Sequence, residues 1–368
     1  MPPSPEHNIM SAAMESRFYE ECIKGLKSEP KRLNSKYFYD SAGDRLFQEI
    51  MNSPEYYPTR SEMEIFSDQT ADLAAAMMIG GDTAPMTDAG TAPMTDVGAA
   101  PMTHAGTAPM TDAGAAPMTD DTAFDLIELG AGDASKSLHL LKYLLEQKAQ
   151  FTYLPIDISG HIISYLELNL PVILPGISIK GLAGEYFDML KKATVISNRR
   201  KVVLFLGSNI GNMYLSASQQ FCKELREHLS PGDRVLMGFD LKKNPHTILA
   251  AYNDKGGITR RFNLNLLVRI NRELGANFKI AQFDHYPCYN PETGTCKSYL
   301  ISLVEQEVAI KGEVIHFDRD EYIDMETSQK FTLTQTDQLA QTAGFTPSKR
   351  FMDRKKWFLD ALWVAENR

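Results

Sequence analysis

The chain has 368 residues, room for one large or two medium domains, and at 43% hydrophobic and 23% charged it has the balance of an ordinary globular protein. A net charge of −9 without any basic block argues against a nucleic-acid partner, and no apolar run approaches the ~18 residues of a membrane span. The opening "MPPSPEHNIMS" lacks a signal peptide's basic and apolar regions, and Cys22, Cys222, Cys288 and Cys296 show no CxxC spacing, so the expectation is a cytoplasmic monomer with free thiols.

"SEMEIFSDQTADLAAAMM", residues 61–78, has the look of a helix. From Thr83 the chain reads TAPMTDAG, TAPMTDVG, AAPMTHAG, TAPMTDAG and a truncated AAPMTDD. Each unit carries one Pro and a single sizeable apolar side chain, a Met, too little buried surface to offset ordering entropy. Residues 83–121 therefore read as a flexible loop insertion, with a Met-rich metal or partner site as the other reading. After it, strand-like and helix-like segments alternate: "FDLIELG", "SKSLHLLKYLLEQK", "FTYLPIDIS", "HIISYLELNL", "KVVLFLGSN", "ASQQFCKELREHL" and "DRVLMGFDL". Such alternation predicts a parallel sheet with helices on both faces, and ligands outside the carboxyl ends of its strands. Gly130, Gly132, Asp157, "GSNIGN" and Asp240 all fall at such ends.

The alternation then stops. "GGITRRFNLNLLVRINREL" predicts a helix ending near Gly275. "FKIAQFDHYPCYN" and "TCKSYLISLVEQEVAI" predict an antiparallel pair joined by "PETG". This reads as a smaller α+β unit, after which the helix-like "TQTDQLAQTAGF" and the final "RKKWFLDALWVAE" return to the first sheet. The eight histidines form no HExxH-type pair, so no metal is expected.

"FDLIELGAGDASKS" narrows the ligand. A dinucleotide fingerprint needs a third glycine where Ser135 stands, and GxxxxGK[ST] is absent. What remains is E-x-G-x-G at a strand end, with Asp157 ending the next strand. A carboxylate there can accept both ribose hydroxyls, while Glu128 and the backbone of Gly130 and Gly132 can hold an amino-acid moiety. That suits S-adenosyl-L-methionine better than NAD. Asp157 also reads as a solvated strand-end carboxylate, "PEYYP" as aromatic core, Asn212 as a helix cap and Glu326 as a solvated surface acid.

"KYFYDSAGDRLFQEIMNSPEYYPTRSEMEIF", residues 36–66, closely resembles the N-terminal signature of the histidine-specific methyltransferases of ergothioneine biosynthesis. "ELGAGDASKS", "PIDIS", "FLGSNIGN", "AYNDKGGITRRFNLNLLVRINREL" and "METSQKF" follow in the family's order, so the resemblance covers the chain except the repeat. It implies a Rossmann-like class I methyltransferase sheet with a second, smaller α+β substrate-binding domain. The expected parts are 1–60 and 243–331 for the substrate-binding domain, 61–242 for the methyltransferase domain and 332–368 as a return to it. It also implies three methylations of the α-amino group of L-histidine, giving hercynine.

By this resemblance the cofactor positions are Gly130, Lys136, Asp157 for the ribose, and Glu185 and Tyr186 where the family has Asp-Phe beside the adenine. The strand-end Gly207 joins them. The carboxylate of the substrate falls to Tyr56, Asn212 and Tyr252, its amine to Tyr39 and its imidazole to Glu326 and Ser328. A further pocket position, Met in the family, is Ser298 here. Burying a zwitterion requires several donors, which phenolic hydroxyls and an amide supply, and imidazole N–H suits an ionised Glu326. Two rivals stay open: an enzyme acting on another aromatic amino acid or an indole alkaloid precursor, and a cofactor-binding regulator without turnover.

Overall fold

Strands whose faces are both covered by helices read as unbroken apolar runs, and the central strands of this protein do so. A computed structural model describes residues 5–78 and 123–367; the octapeptide repeat at 83–121 lies outside them. The chain opens with α1 (Pro5–Leu26), β1 (Lys31–Arg32), α2 (Ser41–Asn52), α3 (Pro58–Asp68) and α4 (Thr70–Met78). Next come β2 (Phe124–Leu129), α5 (Ser137–Glu146), β3 (Phe151–Asp157), α6 (Gly160–Ile173), β4 (Leu182–Ala183), α7 (Tyr186–Thr194), β5 (Arg200–Phe205), α8 (Leu215–Glu227) and β6 (Arg234–Asp240). The next stretch holds α9 (Pro245–Tyr252), α10 (Ile258–Leu274), β7 (Phe283–Asn290), β8 (Thr295–Ser302), β9 (Gln306–Ile310), β10 (Glu313–Phe317) and β11 (Tyr322–Gln329). Last are α11 (Leu333–Ala343), β12 (Phe345–Met352) and β13 (Phe358–Ala365).

The large sheet has the order β12-β13-β6-β5-β2-β3-β4. β4, β3, β2, β5 and β6 are mutually parallel, while β13 runs antiparallel to β6 and β12 to β13. One face packs Ile65 and Phe66 of α3, Leu140, Leu141 and Leu144 of α5 and Leu166 of α6. The other packs Leu190 of α7, Phe221 and Leu225 of α8 and Leu339 of α11. This is the Rossmann-like α/β arrangement expected of the alternating segments.

A second sheet, β1-β11-β8-β7, and the hairpin β9-β10 build a smaller body. Its core joins Phe18, Cys22 and Leu26 of α1 to Phe262, Leu266 and Ile270 of α10 and to Leu300, Ile323 and Met325 of the sheet. Residues 18–50 and 258–325 thus share one apolar core although the whole large sheet up to β6 lies between them in sequence.

Two expected elements divide. Residues 61–78 form two helices, because α3 ends at Gln69, whose amide donates to the Ile65 carbonyl while its side chain donates to Met352 O at 2.8 Å. "TCKSYLISLVEQEVAI" splits into β8, paired with β7 and β11, and β9, paired only with β10. The Ser302 hydroxyl, donating to Val304 O at 2.8 Å, marks the corner. β4, α7, β10 and β12 are among the elements without a counterpart in the expected ones. Among the described residues no helix is long and apolar enough to cross a membrane, and no group of three or more His, Cys, Asp or Glu could hold a metal.

Candidate active site

The carboxyl ends of β2, β3, β5 and β6 lie along one edge of the large sheet, and the turn after each carries a candidate ligand group. After β2, Gly130 and Gly132 take φ of +72° and +52°. At Gly130 an L side chain is excluded twice over: by the left-handed backbone, and because a Cβ would stand 2.8 Å from the Tyr186 hydroxyl. Above Gly132 the space is open, with no atom within 4 Å of where a Cβ would be. Asp157, ending β3, faces this turn: the Gly132 amide donates to its Oδ2 at 3.2 Å and the Ser159 amide to its Oδ1 at 2.9 Å.

Tyr186 opens α7 beside them, its ring edge-on to Phe205 and Phe221. Burial, with Asp157 and Glu185 nearby, pushes its phenol up to about 12. Glu185 is exposed and accepts from Arg17 at 3.3 Å. Lys136 turns back toward the β5 turn and pairs with the fully buried Glu62 of α3, whose other oxygen accepts the Gly207 amide at 2.7 Å. Burial works against the Lys136 charge, but Glu62 outweighs it and the ammonium is held above its ordinary range. Asp360 of β13 sits behind this pair; burial and the Glu62 charge drive its carboxyl well above the usual range.

Glu128 departs from the expected place. It is only 3% exposed, and its carboxylate accepts the Tyr153 hydroxyl at 2.7 Å inside the fold, where burial pushes it up to about 7. Its position on β2 directs it across to β3 and α5, and it does not line the cleft described next.

The second half of the site is a cleft lined by Tyr39, Tyr56, Asn212, Tyr252, Glu326 and Ser328, so the structure brings these expected substrate residues together. They come from five separate segments. Tyr39 follows a short turn whose ring neighbours are Phe47 and Phe262. Tyr56 lies just before α3, Asn212 ends the 3-10 turn Asn209–Asn212, and Tyr252 ends α9. Glu326 and Ser328 are two apart on β11 and so share a face.

What lets β11 reach the large sheet is Gly211: a Cβ there would lie 2.7 Å from the Gln329 carbonyl oxygen. Ser298 is also off the lining. It sits directly across the β8–β11 pair from Glu326, 1% exposed, with its hydroxyl unpartnered among the described residues.

Glu326 makes no side-chain hydrogen bond within the described protein. Burial raises its carboxyl to about 7, with Lys330 opposing. Burial raises the Tyr56 phenol, and the phenol of Tyr39, which is 45% exposed over the whole residue, is raised where it loses water inside the cleft beside Glu326, so both stay protonated at neutral pH. Neither is a ready base.

The cleft also holds groups that the sequence did not single out. Lys330 is 1% exposed and donates to the Tyr252 hydroxyl at 2.7 Å, the Ser328 hydroxyl at 2.8 Å and Asp240 Oδ2 at 2.7 Å. Asp240 also accepts from Tyr57 at 2.8 Å and pairs with Lys243. Burial would raise Asp240, but Lys330 and Lys243 outweigh it and hold its carboxyl below the usual range. The alternation Glu326–Ser328–Lys330 along one strand face is the signal that would have found Lys330.

A larger cavity of about 820 Å³ opens at the opposite, amino-terminal edge of the sheet. Its buried lysine, Lys201, already directs its protons to Asp125 and to the Ser197 and Arg199 carbonyls. It has none left for a ligand.

Residues 18–365 match a family described as histidine-specific methyltransferase, SAM-dependent. The chain belongs to this family. The chain is similar to a histidine N-alpha-methyltransferase of Mycolicibacterium smegmatis, 30% identical over 294 residues, covering 80% of this chain and 77% of that one. A histidine N-alpha-methyltransferase of Mycobacterium tuberculosis is 29% identical over 342 residues, 92% and 90% of the two chains. An ergothioneine biosynthesis protein 1 of Neurospora crassa is 27% identical over 325 residues, 86% of this chain but 31% of that protein. Membership makes this an S-adenosylmethionine-dependent enzyme.

Proposed function

We propose that the protein methylates the α-amino nitrogen of L-histidine three times, giving hercynine, and that the smaller body is its substrate-binding unit. The observation that carries this is the cleft in which Tyr39, Tyr56, Asn212, Tyr252, Glu326 and Ser328 converge. Hydroxyl and amide donors stand there together with one carboxylate that accepts no hydrogen bond from any described side chain, a set suited to an amino acid with an N–H-bearing ring. A cofactor-binding regulator has no need of such a second pocket.

When bound, S-adenosylmethionine supplies a methyl group already activated on sulfonium. The residues present fit it. Asp157 would offer a carboxylate to the ribose hydroxyls, the open space over Gly132 would admit close approach, Gly130, Gly207 and Lys136 would hold the amino-acid end, and Glu185 and Tyr186 would flank the adenine. Lys136, which Glu62 keeps charged, would pair with the amino-acid carboxylate.

Tyr56, Asn212 and Tyr252 receive the substrate carboxylate, and Glu326 and Ser328 the ring. Tyr39 then stands at the amine. With its phenol raised, it orients the lone pair and does not remove a proton. The amine must arrive neutral, so turnover rises with pH through the amine's titration. Positioning and exclusion of water supply the rate.

The test is product analysis after incubating the enzyme with S-adenosylmethionine and a panel of amino acids. The reading expects histidine to be preferred, three equivalents of S-adenosylhomocysteine per histidine and all three methyl groups on the α-nitrogen by NMR. Methylation of the ring, or no histidine turnover, contradicts it.

A further inference from the structure

Lys330 is the buried cation of the cleft to which neither the cofactor nor the substrate assigns a task. Its three protons are all placed: on Tyr252 Oη at 2.7 Å, on Ser328 Oγ at 2.8 Å and on Asp240 Oδ2 at 2.7 Å. The two hydroxyls are also 2.7 Å from each other. One of them must donate to the other, and neither can donate to an ammonium. Of the two hydroxyl protons, one is therefore consumed between Tyr252 and Ser328, and one remains for a ligand.

The lone pairs follow the same count. If Tyr252 donates to Ser328, Ser328 Oγ is filled by Lys330 and Tyr252 and turns its own proton to the cleft. If Ser328 donates to Tyr252, the Tyr252 proton faces the cleft and Ser328 keeps one lone pair for it.

We propose that Lys330 is a positioning residue that leaves the Tyr252–Ser328 pair a single free proton, and so ties recognition of the substrate's carboxylate to recognition of its ring. This rests on the histidine reading above. When the carboxylate takes the Tyr252 proton, Ser328 must donate to Tyr252 and present a lone pair, and the ring must then offer one N–H there and the other to Glu326, which makes it the imidazolium opposite the Glu326 carboxylate. A ring nitrogen carrying only a lone pair or a methyl group is rejected at that point, though its size is right. Without the ammonium both hydroxyls turn freely and the two ends of the ligand are judged separately.

A double-mutant cycle tests this. Histidine binding is measured by calorimetry, with S-adenosylhomocysteine saturating, for Tyr252→Phe, Ser328→Ala and the double variant, in the wild-type background and in Lys330→Met. With Lys330 present each single change should weaken histidine about 10-fold or more, and the double variant should be at most about 3-fold weaker than the worse single. In Lys330→Met the two losses should multiply. S-adenosylhomocysteine affinity, measured alone, should stay within about 2-fold throughout.

The proposal is overturned if the losses multiply with Lys330 in place, if Lys330→Met leaves the coupling unchanged, or if it weakens S-adenosylhomocysteine as much as histidine. The wild-type half of the cycle needs no Lys330 variant, and Lys330→Gln replaces Lys330→Met if the latter does not fold. Wild type that binds and methylates histidine but gives multiplying losses sinks the wiring alone. Wild type that binds no histidine sinks the substrate reading and the wiring with it.

Discussion

Removing water from around Glu326 pushes its carboxyl to about 7, and Lys330 only partly opposes this. The fold thus favours the neutral form. The stability attached to it is complete below the ordinary value of 4.5 and is lost as pH rises through about 7. Glu326→Gln has no such loss. It should gain on wild type between about pH 5 and about pH 8, by up to about 3 kcal/mol at the upper end. Denaturant unfolding at both pH values checks it, and a gap that does not change with pH contradicts it. At this scale the sequence is informative where a residue belongs to a motif: Tyr39, Tyr56, Asn212, Tyr252, Glu326 and Ser328 meet in one cleft. It is silent about Lys243 and Glu62, because a lone charged residue in a sequence reads as solvated and only its burial shows otherwise. It misleads at Glu128, where the strand-end motif gives no hint that Tyr153 on the neighbouring strand takes the carboxylate.

The elements that carry the cleft meet where the β5 turn touches β11. Gly211 makes that contact possible, since any Cβ would press on the Gln329 carbonyl oxygen at 2.7 Å. Backbone cannot swing aside as a side chain can. Gly211→Ala should therefore destabilise the protein by about 1–3 kcal/mol. It should also raise KM for histidine more than KM for S-adenosylmethionine, because Asn212 and Ser328 are pushed apart. Unfolding curves and steady-state kinetics on the variant read both, and an unchanged histidine KM would show that the contact does not set the cleft. The alternating strands and helices from β2 to β6 are legible where their periods differ and the run is long; the two-residue β4 and the helix α7 after it are not. The β9–β10 hairpin is not, since its buried residues alternate with exposed ones over only five positions in each strand, and β12 is not, since its buried residues Phe345, Ser348 and Phe351 fall three apart. The break at Gln69 escapes a periodicity argument too, as the apolar stripe runs on through it.

Across the whole molecule, the smaller body is assembled from two stretches of chain far apart in sequence, and α3 and α4 bind the first of them to the large sheet. Tyr57 reaches Asp240 at the end of β6, and Glu62 reaches the Gly207 turn, so the segment carrying Tyr39 and Tyr56 is fixed to the strand ends that face the cofactor. Such long-range closure leaves no local signal, and only the order of motifs along the chain hints at it. Among the described residues flanking the repeat, the Met77 carbonyl accepts from Arg200, and Phe124 begins β2 in full burial. Deleting residues 83–121 should therefore leave kcat/KM for histidine within about 3-fold and stability within about 2 kcal/mol, the loop-closure difference being small. Thermal unfolding and kinetics of the deletion protein measure this, and an inactive or insoluble product would give the repeat a role in the fold or the reaction.

The central claim is that one carboxylate in this cleft recognises the imidazole ring, and the most direct measurement is the ratio of kcat/KM for histidine to kcat/KM for phenylalanine and tryptophan, with cofactor saturating, in wild type and Glu326→Ala. Losing the partner of a buried ring N–H is worth about 1–3 kcal/mol, and an apolar ring never used that bond. The account predicts that the variant's ratio falls by roughly 10- to 100-fold. A variant that loses activity on all three substrates alike, with the wild-type ratio intact, would contradict it.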